Sequence, residues 1–559
     1  MDLDHQKKIT PWKRFFKLLT PDIKEIRNLY IYAIFAGLIS LSLPLGIQAI
    51  VNLIQGGSLN SSWVVMIIVV VVGVVFSGIL QLFQLRITED LKQKIFSRAA
   101  FEFAYRVPKV KLEELYKKYA PELMNRFFDI IAVQKSLAKI LMDFSTALIQ
   151  MIFGLILLSF YHPFFIAFSL VLVSLLVIIV KLTAKKGLAT SIQESKYKYA
   201  VVHWLEDLAR SSTTFKLAGE NDLIMKRTNE WNGKYINARE SHFKILMGQY
   251  SMLIVFKVIV VTGLLALGGF LVMEQMMNLG QFVAAEIVIL VVINSVEKLI
   301  LNVDIIYDVL TSLEKVGQVV DMELEKEEGR EFLPVENGIA VSAQGLSFSY
   351  PGGTKLQLDD VNLNVDAGEK VLLKGVPGEG KSTLLKLIAG MYCPSKGKIY
   401  VDGNPIQSLN LLTYRNRVGV CLPEETLFNG TVIENISLGR SWISDEDVVS
   451  LIQQAGLSEA INELSDGIDT VIGPENMVVA PYLAKSILLL RAVAGKPKLL
   501  LLEYAFDELA EGLQKRLVDF VFDENRGFTL IAISRTDILL DKVNKVFQVT
   551  REEIKNITN

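Results

Sequence analysis

The chain contains few cysteines, few histidines and almost no net charge. Among its 559 residues are two cysteines and four histidines, and the formal net charge at pH 7 is −2. Cys393 and Cys421 are too few for a disulfide framework, so we expect a reducing compartment and interpret both as small core residues. His162, His203 and His242 are isolated and lack metal-ligand spacing. The near-neutral charge argues against a protein that holds nucleic acid by bulk positive charge.

Charged residues are missing altogether from two long stretches of the chain. No Asp, Glu, Lys or Arg occurs from Asn28 to Leu85 or from Phe144 to Val180. A membrane-spanning helix needs about 20 apolar residues. The first stretch therefore predicts two spans, near Leu29–Val51 and Trp63–Leu85, with a turn at QGGSLNSS between them. The second stretch predicts spans three and four on either side of Tyr161-His162-Pro163.

Two further apolar stretches predict a fifth span at Ile245–Met273 and a sixth at Gly280–Ile300, although both contain charges. Ionisable residues within spans are costly and often functional. Lys257 and Glu286 are therefore candidate functional residues. They form an ion pair if their depths match. Otherwise each lies near an interface or lines a water-filled cavity without specificity.

The spans divide the chain into four predicted regions. Residues 1–27 precede the first span and contain Trp12, Phe15, Phe16 and Leu19 on one helical face. This pattern predicts an interfacial helix, with an exposed basic tail as the alternative. Residues 28–320 form a six-helix transmembrane domain. Residues 321–338 form a linker, and residues 339–559 form a soluble domain.

Positive charge predicts the orientation of the spans. Segment 85–136 contains eleven Lys and Arg residues and segment 181–244 contains twelve, whereas the three short breaks contain none. Positive residues mark the cytoplasmic side. Both long connections and both termini are therefore expected in the cytoplasm. The connections have helical apolar spacing, which predicts helical extensions with elbows at Tyr116–Phe128 and His203–Glu220.

The soluble region contains a phosphate-binding motif. A predicted strand at Glu369–Lys374 is followed by GVPGEGKST and then by a predicted helix, LLKLIAGMY. This matches G-x-x-x-x-G-K-[ST] in the strand–loop–helix context that the motif requires. The glycines of the motif, which allow backbone N–H groups to surround phosphate oxygens, are Gly375, Gly378 and Gly380.

The polar residues of the same motif predict ATP and Mg²⁺ as cofactors. Lys381 is expected to reach the β- and γ-phosphates, and Ser382 to ligate Mg²⁺. Thr383 completes the motif at the start of the helix, whose N-terminus adds partial positive charge. A chance glycine-rich turn does not explain the flanking strand and helix.

Six spans, cytoplasmic extensions and a phosphate-loop domain together resemble a half-transporter of the ATP-binding cassette (ABC) exporter family. The resemblance covers nearly the whole chain and is carried by PELMNRFFDIIAVQKSLAKIL (121–141), GQFVAAEIVILVVINSVEKLI (280–300), LSFSYPGG (346–353), LFNGTVIENI (427–436) and KPKLLLL (496–502). The membrane stretches are loosely similar to haemolysin-type secretion transporters. The resemblance implies a membrane all-α fold, with six helices extended into the cytoplasm, joined to an α/β nucleotide-binding domain. It also implies that Tyr350 stacks on adenine.

Several hydrolytic residues of the family are replaced in this sequence. Aligning on KPKLLLL places Glu503 at the Walker B acid, where it can hold Mg²⁺ through water, and Tyr504 at the catalytic glutamate. A phenol is protonated at neutral pH and does not act as the general base. Arg535 stands at the switch histidine, where it offers charge but does not shuttle a proton.

The segments that normally contact the γ-phosphate are also changed. The signature LSGGQ is replaced by Val479–Leu483, in which Pro481 has no N–H to offer and Tyr482 is bulky where the family has glycine. Pro423 or Glu424 stands at the Q-loop glutamine. No catalytic set is intact, so the sequence predicts a domain that binds ATP and is strongly impaired in hydrolysis.

The resemblance also implies partners. Each ATP of the family lies between the phosphate loop of one subunit and the signature of the other, so a homodimer or a heterodimer with another ABC half-transporter is expected. The protein is expected as a multi-pass protein of the inner (plasma) membrane, embedded in the lipid bilayer. Two functions remain open. One is a transport subunit. The other is an inactive membrane scaffold or regulator that binds nucleotide and a partner protein, such as a periplasmic adaptor.

Overall fold

The computed structural model describes residues 9–55, 61–116, 118, 120–333, 338–353, 355–474 and 479–558. The chain divides into two compact units. The helical unit comprises Met1–Pro108 and Tyr119–Met322. The sheet unit comprises Lys109–Lys118 and Glu323–Asn559, so it includes a short part of the first long connection.

The helical unit consists of long helices together with a few short ones, and the short helix α5 belongs to the sheet unit. In chain order they are α1 (Pro11–Leu19), α2 (Ile23–Ser40), α3 (Ser42–Gln55), α4 (Ser61–Arg106), α5 (Leu112–Leu115), α6 (Ala120–Met124), α7 (Phe128–Lys139), α8 (Ser145–Tyr161), α9 (Phe164–Arg210), α10 (Ser212–Leu217), α11 (Leu223–Met273), α12 (Leu279–Leu301) and α13 (Val303–Val320). Six helical segments of the described chain are long and apolar enough to span a membrane, which confirms the predicted number of spans.

The first span differs from the prediction because it is not one continuous helix. Helix α2 ends at Ser40, and α3 begins at Ser42. Pro44 lacks the N–H that would bond to the carbonyl of Ser40, which accounts for a break at this point. The turn predicted after α3 falls largely on residues 56–60, which lie outside the described residues.

The other helix boundaries have local causes. Helix α8 ends at Tyr161 because His162 is extended (φ −161°, ψ 146°) and Pro163 follows. Helix α12 begins with a capping box, in which the Asn278 side chain accepts from the Gln281 N–H and the Gln281 side chain accepts from the Asn278 N–H. The first boundary confirms the predicted break at 161–163.

The N-terminal helix α1 is attached to the helical unit. Phe15 packs in a small cluster with Val309 and Leu313 of α13. Arg14 also forms ion pairs with Glu314 and with Asp321. A helix therefore forms where an interfacial helix is predicted, and residues 11–19 are not a loose basic tail.

Both predicted elbows contain helix breaks. In the first connection, α4 gives way to the short helices α5 and α6. In the second, α9 ends at Arg210 and α10 follows before α11. The remaining length of α4, α9 and α11 is continuous helix, so the helical extensions are confirmed.

The sheet unit contains two main sheets. Its strands are β1 (Val341–Phe348), β2 (Leu358–Val365), β3 (Lys370–Lys374), β4 (Lys396–Val401), β5 (Asn404–Pro405), β6 (Val418–Cys421), β7 (Gly430–Thr431), β8 (Val471–Ile472), β9 (Leu499–Glu503), β10 (Thr529–Ile533), β11 (Lys545–Val549) and β12 (Ile554–Asn556). An antiparallel sheet has the order β2-β1-β4-β5, and the larger sheet has the order β12-β11-β3-β10-β9-β6. All neighbours in the larger sheet from β11 to β6 are parallel.

Helices cover the parallel sheet, as its fully buried strands require. They are α14 (Lys381–Ile388), α15 (Leu411–Arg415), α16 (Val432–Ser437), α17 (Asp445–Gln454), α18 (Ser458–Asn462), α19 (Pro481–Ala494) and α20 (Glu511–Val521). Every residue of β9 and of β10 is buried. The carboxyl ends of β3, β9 and β10 lie at one edge of the sheet. Ligands of open α/β sheets bind at that edge.

Candidate nucleotide site

The phosphate loop connects β3 to α14 and requires glycine at two positions. Gly375 has φ +147°, and a Cβ there would lie 2.4 Å from the carbonyl oxygen of Val549. Gly380 has φ +92°, and a Cβ there would lie 2.7 Å from the carbonyl oxygen of Gln357. Both neighbours are backbone atoms, so neither can move aside as a side chain would. Gly378 also has positive φ, at +89°, so the three predicted glycines shape one loop.

Lys381 is folded into this loop. Its Nζ donates to the carbonyl oxygens of Gly375 (2.6 Å) and Val376 (3.0 Å), and the residue is 6% exposed. Burial lowers the pKa of Lys381, while the carboxylates of Glu503 and Glu379 act in the opposite direction. The ammonium is thus held where the predicted phosphates would lie.

Ser382 and Glu503 meet beside the loop. The Ser382 Oγ donates to Oε1 of Glu503, which ends β9. Oε2 of Glu503 is buried and has no hydrogen-bond partner among the described residues. Burial raises the pKa of Glu503, and the bond from Ser382 lowers it. A hydroxyl and an unsatisfied buried carboxylate oxygen are the hard ligands that Mg²⁺ prefers, so these two residues fit the predicted metal.

Tyr350 lies close to the start of α14. Its hydroxyl is 3.1 Å from Oγ1 of Thr383, which connects the predicted adenine-stacking residue to the phosphate loop. Phe348 and Tyr392 contact the Tyr350 ring edge to face, with centroids 5.1 Å and 5.5 Å away. The Tyr116 ring lies flat against it, with centroids 5.1 Å apart and an interplanar angle of 7°. No local sequence pattern signals this contact, because Tyr116 belongs to the first long connection, far from Tyr350 along the chain.

Tyr504 occupies the position after β9 with a left-handed backbone (φ 52°), and its N–H donates to the Ile533 carbonyl (2.8 Å). The Arg535 guanidinium lies over its ring, 4.7 Å from the centroid. Both side chains line a cleft of about 440 Å³ together with Pro423 and Glu503. The residues predicted at the catalytic-glutamate and switch positions are thus adjacent to each other and to the predicted Walker B acid.

Asp507 fixes the turn that follows Tyr504. Its Oδ1 accepts from the Ser534 Oγ (2.7 Å), and its Oδ2 accepts from the Arg535 N–H (2.9 Å). Lys485 of α19 donates to the Asp507 carbonyl oxygen (2.9 Å). These bonds connect the turn to the segment after β10. Asp507 is not among the site residues predicted from the sequence, because its role depends on contacts with the distant segment after β10.

Neither position considered for the Q-loop glutamine provides an equivalent side chain. Pro423 lines the cleft, and Glu424 forms an ion pair with Lys386 of α14. The next residue, Glu425, accepts from the Leu422 N–H (3.1 Å) and lies 3.7 Å from Arg491. The carboxylates of Glu424 and Glu425 are therefore both engaged with other groups of the protein.

The segment at the signature position forms the start of α19. Ala480 is the N-cap and Pro481 is the first helical residue. The N–H groups of Leu483 and Ala484 both donate to the Ala480 carbonyl oxygen (2.9 and 3.0 Å). Tyr482 is 43% exposed. This helix start therefore lacks one N–H and has a large aromatic side chain on its surface.

Lys257 is paired within the helical unit, but with a different partner from the one considered. Its Nζ donates to Oε2 of Glu297 (2.7 Å). Glu286 is exposed, and it forms no ion pair with any described residue. The ion pair considered between Lys257 and Glu286 is therefore wrong. Helices α11 and α12 run antiparallel across a short connection, so residues at the same depth lie equally far from that connection. Lys257 lies deep inside α11, far from its end at Met273, whereas Glu286 lies close to the start of α12.

Comparison with known proteins adds three findings. Residues 358–506 match the family described as ABC transporter. The chain is 26% identical over 331 residues to the alpha-hemolysin translocation ATP-binding protein HlyB of Escherichia coli, and 27% identical over 331 residues to the toxin RTX-I translocation ATP-binding protein of Actinobacillus pleuropneumoniae. Each alignment covers 58% of this chain and 46% of the relative, so the chain spans about half the length of these proteins.

A solved structure described as a bacterial Atm1-family ABC exporter with ATP bound has the same fold. The TM-score is 0.84 and the sequence identity 17%, with 95% of this chain and 94% of the other covered. The similarity extends over both the helical and the sheet units. The predicted combination of six spans and an α/β domain is thereby confirmed as a fold.

Proposed function

We propose that this chain, which carries an ABC transporter domain and has the fold of an ABC exporter, is one half of a membrane transporter that binds ATP and is strongly impaired in hydrolysis. One observation carries the proposal. The phosphate loop with Lys381 and Ser382 is complete and folded, whereas Tyr504 and Pro481 stand where the chemistry requires a base and backbone donors.

Binding uses residues that are already in place. The loop N–H groups and the Lys381 ammonium bind the triphosphate, and Tyr350 stacks on the base through the ring face against which Tyr116 lies in this structure. Ser382 and Glu503 would hold Mg²⁺, Glu503 through water, and the metal would neutralise phosphate charge when bound. Arg535 adds positive charge to the same cleft.

At the position of the general base, this site has no group that removes a proton from the attacking water. The Tyr504 phenol does not do this at neutral pH, and loss of a general base typically costs a factor of about 10²–10⁴ in rate. Glu425 also lines the cleft, but the Leu422 N–H and the Arg491 guanidinium hold its carboxylate. Of the other carboxylates that line the cleft, Asp507 accepts from Ser534 and Arg535, Glu508 pairs with Lys485, and Glu503 is the residue proposed to hold Mg²⁺. We therefore assign the role of the base to none of them.

Dimerisation does not restore a complete site. In a homodimer both composite sites would lack base, signature and switch. With a competent partner half-transporter, one site would lack the base and the other the signature. We therefore propose that the chain works as a homodimer or heterodimer whose closure on ATP, rather than rapid turnover, is its contribution to transport.

The chain is a multi-pass membrane protein, and its charge distribution supports an inner-membrane location. The basic connections around α5 and α10 favour a cytoplasmic location for these segments and for both termini. Two of its relatives are named as translocation ATP-binding proteins for alpha-hemolysin and for a toxin. From them we extend only membrane export as a class to this chain. A periplasmic adaptor is a separate proposal for a partner.

A second candidate is an inactive scaffold or regulator that binds nucleotide and a partner protein. It is favoured by the same replacements, Tyr504 in place of the base and Pro481 in place of a backbone donor. ATP binding and phosphate release of the purified chain in nanodiscs, measured with and without a co-expressed half-transporter, separate the two. Hydrolysis in a mixed dimer supports the transport subunit. ATP binding without hydrolysis in any combination supports the scaffold, and absence of ATP binding contradicts both.

A further inference from the structure

The ring face of Tyr350 is covered by a residue of the same chain. Tyr116 stacks flat on it, whereas Phe348 and Tyr392 meet it edge to face at 81° and 89°. Both Tyr116 and Tyr350 are partly buried. Among the aromatic contacts of the described residues, Tyr116 is thus the one parallel partner of this ring. A purine that stacks on Tyr350 needs the same kind of face.

The segment that carries Tyr116 is attached to the sheet unit by backbone bonds. The Lys111 N–H donates to the Glu323 carbonyl (3.0 Å), and the Glu325 N–H donates to the Lys109 carbonyl (2.8 Å). The Glu113 side chain accepts from the Cys393 N–H (3.2 Å). The segment is therefore anchored upstream of Tyr116, independently of the stacked ring.

Tyr116 is placed so that its ring can leave without breaking these anchors. It follows the last residue of α5, and its backbone is no longer helical (φ −57°, ψ 129°). A side chain in this conformation changes rotamer by rotation about its own bonds. The ring of Tyr116 can thus move away from Tyr350 while the backbone bonds of Lys111 and Glu325 remain.

We propose that Tyr116 occupies the adenine-stacking face of Tyr350 and is displaced by the purine base of the bound nucleotide. Tyr116 thereby lowers the affinity for adenine nucleotides relative to an open site. The displacement moves the Tyr116 ring alone, because the backbone bonds of Lys111 and Glu325 do not involve it. The inference rests on the proposed function, since it needs a site that binds ATP.

The test compares nucleotide affinities of the full chain in nanodiscs, with Mg²⁺ present. An aromatic pair contributes enough to change an equilibrium by about three- to tenfold. We expect Tyr116→Ala to bind ATP about three- to tenfold more tightly than the wild type, and Tyr116→Phe, which keeps the ring, to gain less affinity than Tyr116→Ala. Inorganic tripolyphosphate has no base, so its affinity should be the same in all three proteins.

Two further variants keep the test decisive. Tyr116→Leu preserves apolar volume if the alanine variant fails to fold, and it should also bind ATP more tightly. In a Tyr350→Ala background, Tyr116→Ala should have no further effect on ATP affinity, because the ring face for which Tyr116 and the base compete is absent. Tighter tripolyphosphate binding in Tyr116→Ala would assign Tyr116 to a general structural role and overturn the proposal.

The possible outcomes separate this inference from the proposed function. If the wild type binds ATP and Tyr116→Ala binds it equally well, the competition is refuted and ATP binding stands. If Tyr116→Ala binds ATP more weakly, Tyr116 contacts the bound base and strengthens its binding instead of competing with it, and the proposal is wrong. If neither protein binds ATP or tripolyphosphate, the proposed function is refuted, and so is this inference, which depends on it.

Discussion

Replacing Lys381 with methionine perturbs ATP binding at one defined atom. The Lys381 Nζ lies inside the phosphate loop, 2.6 Å from the Gly375 carbonyl oxygen and 3.0 Å from the Val376 carbonyl oxygen. Methionine has a similar length and an apolar end, so Lys381→Met removes the charge and the donor while it fills much of the same space. The loop glycines and α14 remain unchanged.

The expected loss follows from the bonds that Lys381 would make to phosphate. A hydrogen bond to a charged group contributes about 1.5–3 kcal/mol. Each 1.4 kcal/mol is a factor of ten in affinity, so Lys381→Met should weaken ATP binding by about ten- to 150-fold. We expect the fold to persist, because burial already lowers the pKa of Lys381 and thus opposes its charged form.

Equilibrium binding of ATP to the full chain in nanodiscs measures this effect, with thermal unfolding as the check of the fold. Lys496→Met is the matched control, because Lys496 is at the opposite end of β9 from Glu503 and its side chain is 83% exposed. It should bind ATP like the wild type. Equal affinities for the wild type and Lys381→Met, with both folded, would refute the assignment of the phosphate loop.

Three other predictions concern the loop, the metal ligand and the membrane ion pair. Gly375→Ala places a Cβ against the Val549 carbonyl oxygen and should lower the free energy of unfolding by about 1–3 kcal/mol and remove ATP binding, whereas wild-type thermal stability would contradict the strain. Because the pKa of Glu503 is raised, Mg²⁺-dependent ATP affinity should fall as the pH drops through that pKa, beginning above the range of an ordinary glutamate. The difference in Mg²⁺-dependent ATP affinity between the wild type and Glu503→Gln should become smaller at low pH. A difference that is independent of pH would refute the role of Glu503 in holding Mg²⁺. Lys257→Met or Glu297→Gln alone should destabilise the protein by about 1.5–3 kcal/mol, and the double variant by less than the two single losses combined, as seen by thermal unfolding; strict additivity would show that the pair is not coupled.

The sequence predicts the fold because its strongest signals are periodic or local. Charge-free stretches indicate spans, and the motif from Gly375 to Thr383 requires a strand and a helix on either side. Strand β3 and helix α14 are found at those places. The break between α2 and α3 does not follow from the sequence, although Pro44 is visible there, because a proline within a span is compatible with either a kink or a new helix.

Side-chain partners are less predictable, since they depend on depth and on contacts between distant segments. Glu297 matches Lys257 because the two residues lie at similar depths from the connection between α11 and α12, and each helix rises by the same amount per residue. The predicted limits of the fifth and sixth spans are sufficient to compare these two depths. The stack of Tyr116 on Tyr350 is not predictable, because no local pattern connects the two residues.

The central claim is that this chain binds ATP and is strongly impaired in cutting it. Bound ATP and released phosphate, measured in the same nanodisc sample of wild type and Lys381→Met, test it most directly. The account predicts Mg²⁺-dependent ATP binding that Lys381→Met weakens, with phosphate release in the wild type no higher than in that variant. Phosphate release that Lys381→Met abolishes, at a rate typical of an enzyme with its general base in place, would contradict it.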